Sequence, residues 1–186
     1  MTMPIIAKAD SDNFEKAPTG TVQAVCTFIH DIGHQPGEYQ GRPNVRHQII
    51  VSWELSEKMT QGEYAGKPFM VSKYYTLSLS EKSNLRKDLE NWRGKAFTAE
   101  ELAGFDVEAI KNANCLLSIT ETENGKRKVS GVAALPKGMA PIEASQILPS
   151  PKFMEWIEKE RAKAVHPSAT TEEAPTENGD KDDLPF

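Results

Sequence analysis

Residues 44–57, NVRHQIIVSWELSE, alternate in character. Val45, His47, Ile49, Val51, Trp53 and Leu55 make one apolar row, while Arg46, Gln48 and Ser52 fall on the opposite side. A period of two marks a β-strand, because successive side chains leave a strand on opposite faces. Such a strand obliges the chain to supply backbone partners along its edges. Two flanking segments offer them. TGTVQAVCTFIHDI reads as a first strand opened by Gly20. KPFMVSKYYTLSLS reads as a third, with Phe69, Val71, Tyr75, Leu77 and Leu79 on one side and Met70, Ser72, Tyr74, Thr76 and Ser78 on the other. Between the first two strands, the Gly and Pro residues of GHQPGEYQGRPN predict a long loop over residues 31–44.

The periodicity then changes. SEKSNLRKDLENWRG places Leu85, Leu89 and Trp92 at helical spacing, with Gly94 as a stop. TAEELAGF has Thr98 followed three residues later by Glu101, a capping-box pattern, and DVEAIKNA adds a further helical turn. NCLLSITETENGKRKVSGVAALP reads as a hairpin with Asn124-Gly125 at its tip, a pair that tolerates positive φ. SPKFMEWIEKERAKA is a short amphipathic helix with Phe153, Trp156 and Ile157 on one side; periodicity alone does not decide between packing on the body and serving a dimer.

Three strands, a helical insert and a two-strand hairpin follow the order of an OB-fold, a five-stranded barrel that binds oligonucleotides on strands 2 and 3 and with the loops joining strands 1–2 and 4–5. A generic α+β domain has the same order of elements. The expected organisation is a flexible segment over 1–17, a barrel over 18–140, a C-terminal helical segment over 141–165 and a disordered acidic tail over 166–186. The tail, rich in Thr, Pro, Glu and Asp, has too little apolar content to offset ordering entropy. Charge divides in the same way. From His166 onward six acids stand against one base, which accounts for the whole net charge of −5, and residues 1–165 balance 21 acids against 21 bases.

Enzymatic chemistry finds no foothold in the motifs. GxSxG, HExxH and CxxC are absent, and GEYAGKP lacks the spacing and the Ser/Thr of a phosphate loop. Cys26, His30 and His34 recur at intervals of four, but on a strand running into a loop that interval does not gather ligands, even with His47 added. No cofactor and no metal is expected. Cys26 and Cys115 read as buried, reduced thiols of a cytoplasmic protein, and neither a secretory leader nor an 18-residue apolar run is evident, so no membrane association is expected.

Single-stranded nucleic acid asks for cations along the phosphates and flat rings for the bases. Tyr39 and Arg42 in the first loop, Arg46 and Gln48 on strand 2, Lys73, Tyr74 and Tyr75 on strand 3, and Lys126, Arg127 and Lys128 beside the hairpin turn provide both. By parity Tyr75 and Lys73 point inward and Tyr74 outward. Taken singly, a Tyr-Tyr pair is more often core and half-buried surface, and a Lys-Arg-Lys run usually keeps a hairpin soluble. These residues gain weight because they fall on the elements an OB barrel would use.

The tail adds a second signal. An acidic stretch that ends Leu184-Pro185-Phe186 offers a ring for an apolar pocket and a carboxylate for a cation at its rim, with Asp180, Asp182 and Asp183 adding attraction to a basic surround. DDLPF is similar to the tail of bacterial single-stranded DNA-binding proteins, and the body, through KYYTLSLSEKSNLRKDLENWRG and CLLSITETENGKRKVSGVAALPKGM, resembles the bacteriophage members of that group. The resemblance implies an OB-fold protein of the host bacterial cytoplasm that protects single-stranded DNA. It also implies that residues 180–186 recruit enzymes of DNA replication, recombination and repair, such as a polymerase, primase, helicase or nuclease. Tetramerisation of the bacterial form does not carry over, and the oligomeric state stays open. Two alternatives remain: an adaptor or inhibitor that uses only the tail, and a protein that binds or anneals single-stranded RNA.

Overall fold

The computed structural model describes residues 15–166. They form one antiparallel sheet of five strands, β1 (Gly20–Tyr39), β2 (Arg42–Lys58), β3 (Pro68–Thr76), β4 (Asn114–Glu121) and β5 (Arg127–Ala134), in the order β3-β2-β1-β4-β5. Helices α1 (Asn84–Arg93) and α2 (Ala99–Ala103) and a 3-10 turn (Val107–Ile110) lie between β3 and β4. Helix α3 (Pro151–Ala162) closes the described chain. Alternation of direction makes β3 and β5 parallel to each other. They approach without a ladder between them, so the sheet is open along that seam.

The main core follows the alternation. Ile49, Val51, Trp53 and Leu55 of β2, Phe69, Val71 and Tyr75 of β3, and Leu117, Ile119, Val129 and Val132 of the β4–β5 pair meet on the inner face. Helix α1 adds Leu85, Leu89 and Trp92, the positions picked out by their spacing. Ser83 caps its start through the Arg86 amide, and Gly94 ends it in the left-handed region at φ 67°. The Thr98–Glu101 capping box is formed in both directions.

Three features depart from expectation. The segment 31–44 is not a loop. β1 and β2 stay paired from Asp31↔Ile49 out to Tyr39↔Arg42, and only Gln40 and Gly41 make the turn. Both carry positive φ, 50° and 74°, the signs needed for a two-residue turn whose twist matches the strands it joins. Beyond Gln48 no third described strand joins the pair, although the Leu77 amide still bonds to the His47 carbonyl and the Val165 amide to the His34 carbonyl, and prolines such as Pro36 and Pro43 are tolerated where no strand pairs on the outer side. At the β4–β5 turn only Gly125 takes positive φ, 73°, and Asn124 does not. The turn is longer than an Asn-Gly pair would need, closed by bonds from the Gly125 amide to the Thr122 carbonyl and from the Thr122 amide to the Lys126 carbonyl. Finally, residues 15–17 are held in place rather than loose: Ala17 is part of the main core. The remainder of the expected flexible N-terminal segment lies outside the described residues, as does the expected disordered tail from residue 167.

The outer face of the sheet is also covered. Phe153 and Ile157 of α3 pack on Ile32 and Ile50, each of the four contributing about 2 kcal/mol of burial as an upper figure. Helix α3 therefore packs on the body, which answers the choice its periodicity left open. Gly33 is required there twice. It sits at φ 74° beside a bulge in β1, and a Cβ on it would lie 3.0 Å from the Cβ of Ala164. A strap, residues 135–150, leads to α3 across the same face. Asn114 brackets the backbone of Ile142 with two bonds of 2.9 Å, and Gln23 donates to the Ala140 carbonyl at 2.8 Å. Glu54, 2% exposed, accepts from the amide and hydroxyl of Ser145 at 2.8 and 2.9 Å. The cover explains why β2 is buried on both sides from Ile49 to Leu55, including Ser52.

Candidate nucleic-acid interface

Because both faces of the central strands are occupied, the proposed contact residues separate into three groups. The first lies on the β1–β2 ribbon. Tyr39 and Arg42 flank the turn, and the Arg46 guanidinium stands 5.8 Å from the centre of the Tyr39 ring. Ring and cation thus form a cation–π contact within the ribbon.

The second group sits on the sheet, where the outward platform expected of β2 and β3 is not open. Tyr74 does face outward, but it packs edge-on against Trp156 of α3 with ring centres 5.7 Å apart. Gln48 is half-buried. Tyr75 is 3% exposed and points inward, so its ring is not presented to solvent. Its hydroxyl donates to Asp88 Oδ2 at 2.7 Å, and burial pushes its pKa well up. Lys73 Nζ reaches the same carboxylate oxygen at 2.8 Å and lies 5.1 Å from the Tyr75 ring centre. Asp88 thus joins β3 to α1 with a partly buried ion pair, and the Lys73 charge is answered within the fold. Two long-range contacts, with α1 and α3, account for both outcomes.

The third group gathers at the open end of the seam. There the starts of β3 and β5 diverge and leave a groove of about 600 Å³. Phe69, Met70, Val71 and Val129 line its floor, and Ile147, Leu148 and Phe153 line the side formed by the strap and α3. Leu148 is 78% exposed, an apolar lip on the mouth. Lys126 at the end of the β4–β5 turn and Arg127 and Lys128 at the start of β5 line one part of the groove, with the Lys16 ammonium beside the turn at the Gly125 carbonyl, and Lys67 and Tyr64 from the β2–β3 loop line another. Among the described residues five basic ones line the groove against two acidic ones, Glu15 and Glu54, a positive balance of formal charge over an apolar floor. The carboxylate of Glu54 is turned to Ser145. Arg127 pairs with Glu121 and donates to the Ala17 carbonyl. Lys67 Nζ lies 5.0 Å from the centre of the Tyr64 ring.

Lys16, Tyr64 and Lys67 were not singled out from the sequence. A signal was present in GEYAGKP. Tyr64 and Lys67, a ring and a base three residues apart beside Gly62 and Gly66 at positive φ, repeat the combination found in Lys73 and its tyrosines. Lys16 had no such signal, since its place follows from packing of Ala17.

Other candidate chemistry stays apart. His34 stacks on His47 with ring centres 4.6 Å apart, and His47 Nε2 bonds to Asp31 Oδ1 at 2.8 Å, while His30 is buried between Phe28 and Phe153. Among the described residues no three His, Cys, Asp or Glu side chains converge to hold a metal ion. Cys26 and Cys115 are buried free thiols, and desolvation pushes Cys26 up to about 12 and Cys115 higher still. No described helix is long and apolar enough to cross a membrane. Asp180, Asp182, Asp183, Leu184, Pro185 and Phe186 lie outside the described residues. No family model matches the chain, and no curated protein matches it.

Proposed function

We propose that this protein binds single-stranded DNA without reading its sequence, and that residues 180–186 recruit enzymes of replication, recombination or repair. The observation that carries the reading is the groove at the open seam. Cations from three separate parts of the chain, Lys16, Lys67 and residues 126–128, converge around one apolar floor. Phosphates require the cations, and unstacked bases gain from the floor and the Tyr64 ring. The ribbon, with Tyr39, Arg42 and Arg46, supplies a second contact region. The order of the strands, with α1 between β3 and β4 and parallel β3 and β5, supports reading the sheet as an OB-type barrel opened along one seam.

The test is fluorescence anisotropy of a labelled oligo-dT of about thirty nucleotides across a salt series, with the full chain and a version ending at Gly179. The expected result is tight binding whose logarithm falls with log salt by about 0.7 per phosphate contacted. Competition by an oligo-rU of equal length distinguishes DNA from RNA. No binding by either version at low salt would remove the DNA-binding reading and leave the tail peptide as the functional element.

A further inference from the structure

The β2–β3 loop (59–67) and the β4–β5 turn are far apart in sequence, and no ladder joins the strands that carry them at the seam. Residues 15–17 bridge them. Glu15 accepts hydrogen bonds from the Thr60 amide at 2.6 Å, the Thr60 hydroxyl at 3.0 Å and the Gln61 amide at 3.0 Å. These bonds to the charged form hold the Glu15 carboxyl below its ordinary pKa. On the other side, Lys16 Nζ donates to the Gly125 carbonyl at 2.8 Å, and the Ala17 carbonyl accepts from Arg127 Nε. One short stretch thus grips the loop through its amides and the turn through its carbonyl and its arginine.

We infer that residues 15–17 are a latch that fixes the distance between the two cation-bearing loops and so preorganises the groove for a single strand. This role rests on the strand-binding reading and deepens it. Glu15 is a positioning residue, acting through Thr60 and Gln61 on Tyr64 and Lys67. Two effects of Glu15 oppose each other. As a bare charge at the rim it repels phosphate, so its removal would tighten binding, most at low salt. As a latch it keeps the loop ordered, so its removal adds an ordering cost to binding. With a few side chains to order, the loss is about three- to tenfold in affinity.

The experiment uses the full chain with Glu15→Gln and Glu15→Ala, each titrated against labelled oligo-dT at low and moderate salt. Hydrogen exchange over 59–67 is followed without DNA. The latch predicts weaker binding by both variants, with the glutamine, which keeps an acceptor oxygen, less affected than the alanine. It also predicts a loss that persists at moderate salt and faster exchange of the loop amides, at an unchanged melting temperature. Binding by the parent that the variants match or exceed overturns the latch and leaves the strand-binding reading standing. No binding by the parent at low salt overturns that reading, and the latch's part in binding with it. Unchanged loop exchange in both variants overturns the latch whatever the affinities.

Discussion

The seam between β3 and β5 is finished differently at its two ends. At the end where both strands stop, α1 fills the gap. Leu85, Leu89 and Trp92 enter the main core, Trp92 donates to the Asn114 carbonyl at 2.8 Å, and Asp88 ties down Lys73 and Tyr75. At the end where both strands start, no described helix plugs the gap; the strap and the first turn of α3 form one side of a groove that cations flank. The same pair of strands therefore borders a lysine, Lys73, that pairs with the α1 carboxylate of Asp88, and a groove lined by five bases, Arg127 among them paired with Glu121. The difference lies in what surrounds each base and is independent of residue type. A helix that brings a carboxylate ties Lys73 into the fold, and separate stretches that bring more bases make the groove the candidate site.

If the two ends are separate in this way, variants at the filled end should cost stability and spare DNA affinity, and variants at the open end should do the reverse. The largest effect is expected for Leu89→Ala, which empties a fully buried position and should lower unfolding free energy by about 3 kcal/mol in urea melts. Oligo-dT affinity measured where the variant is folded should not move, and an equal loss of affinity would show the ends to be coupled. Asp88→Asn should follow at about 2 kcal/mol, because it leaves the partly buried Lys73 cation without its counter-charge. At the open end, the double change Lys126→Gln with Lys128→Gln removes two phosphate contacts. At about 0.1 M salt that amounts to about 25-fold in affinity, with the salt slope shallower by about 1.4 and the melting temperature held. Tyr64→Ala is the smallest, about fivefold for the loss of one stacking ring. A drop in stability larger than its drop in affinity would place Tyr64 with the structural residues.

Legibility in the sequence followed the same line. What depends on near neighbours could be read. The apolar rows of β2 from Ile49 to Leu55 and of β3, the Leu85–Leu89–Trp92 spacing and the Thr98–Glu101 cap are local patterns that appear where the residues put them, whereas Val45 and His47, read as part of the β2 row, lie outside the core, Val45 exposed. The inward turn of Tyr75 follows from parity. What depends on distant parts of the chain was hidden. Tyr74 faces outward as parity requires, yet Trp156, some eighty residues on, lies against it. Lys16, Lys67 and Lys126 come from three distant stretches, and nothing in any one of them announces the others. The ribbon was concealed for another reason: glycine and proline usually punctuate strands, and here they sit on a two-stranded arm where a missing neighbour removes the penalty. Gln40 in the left-handed region is an uncommon turn residue, so the turn itself was camouflaged.

That arm also bears on behaviour in a crowded solution. Past the His34 and His47 carbonyls, which accept from the Val165 and Leu77 amides, no third described strand pairs with the ribbon, and unpaired strand backbone is a template on which a second chain can zip, strand against strand. Here the template is spoiled at intervals. Pro36 and Pro43 have no amide hydrogen to offer, and Glu38, Arg42 and Arg46 set charges of both signs along its length. These residues make the tip of the ribbon a poor seed for aggregation.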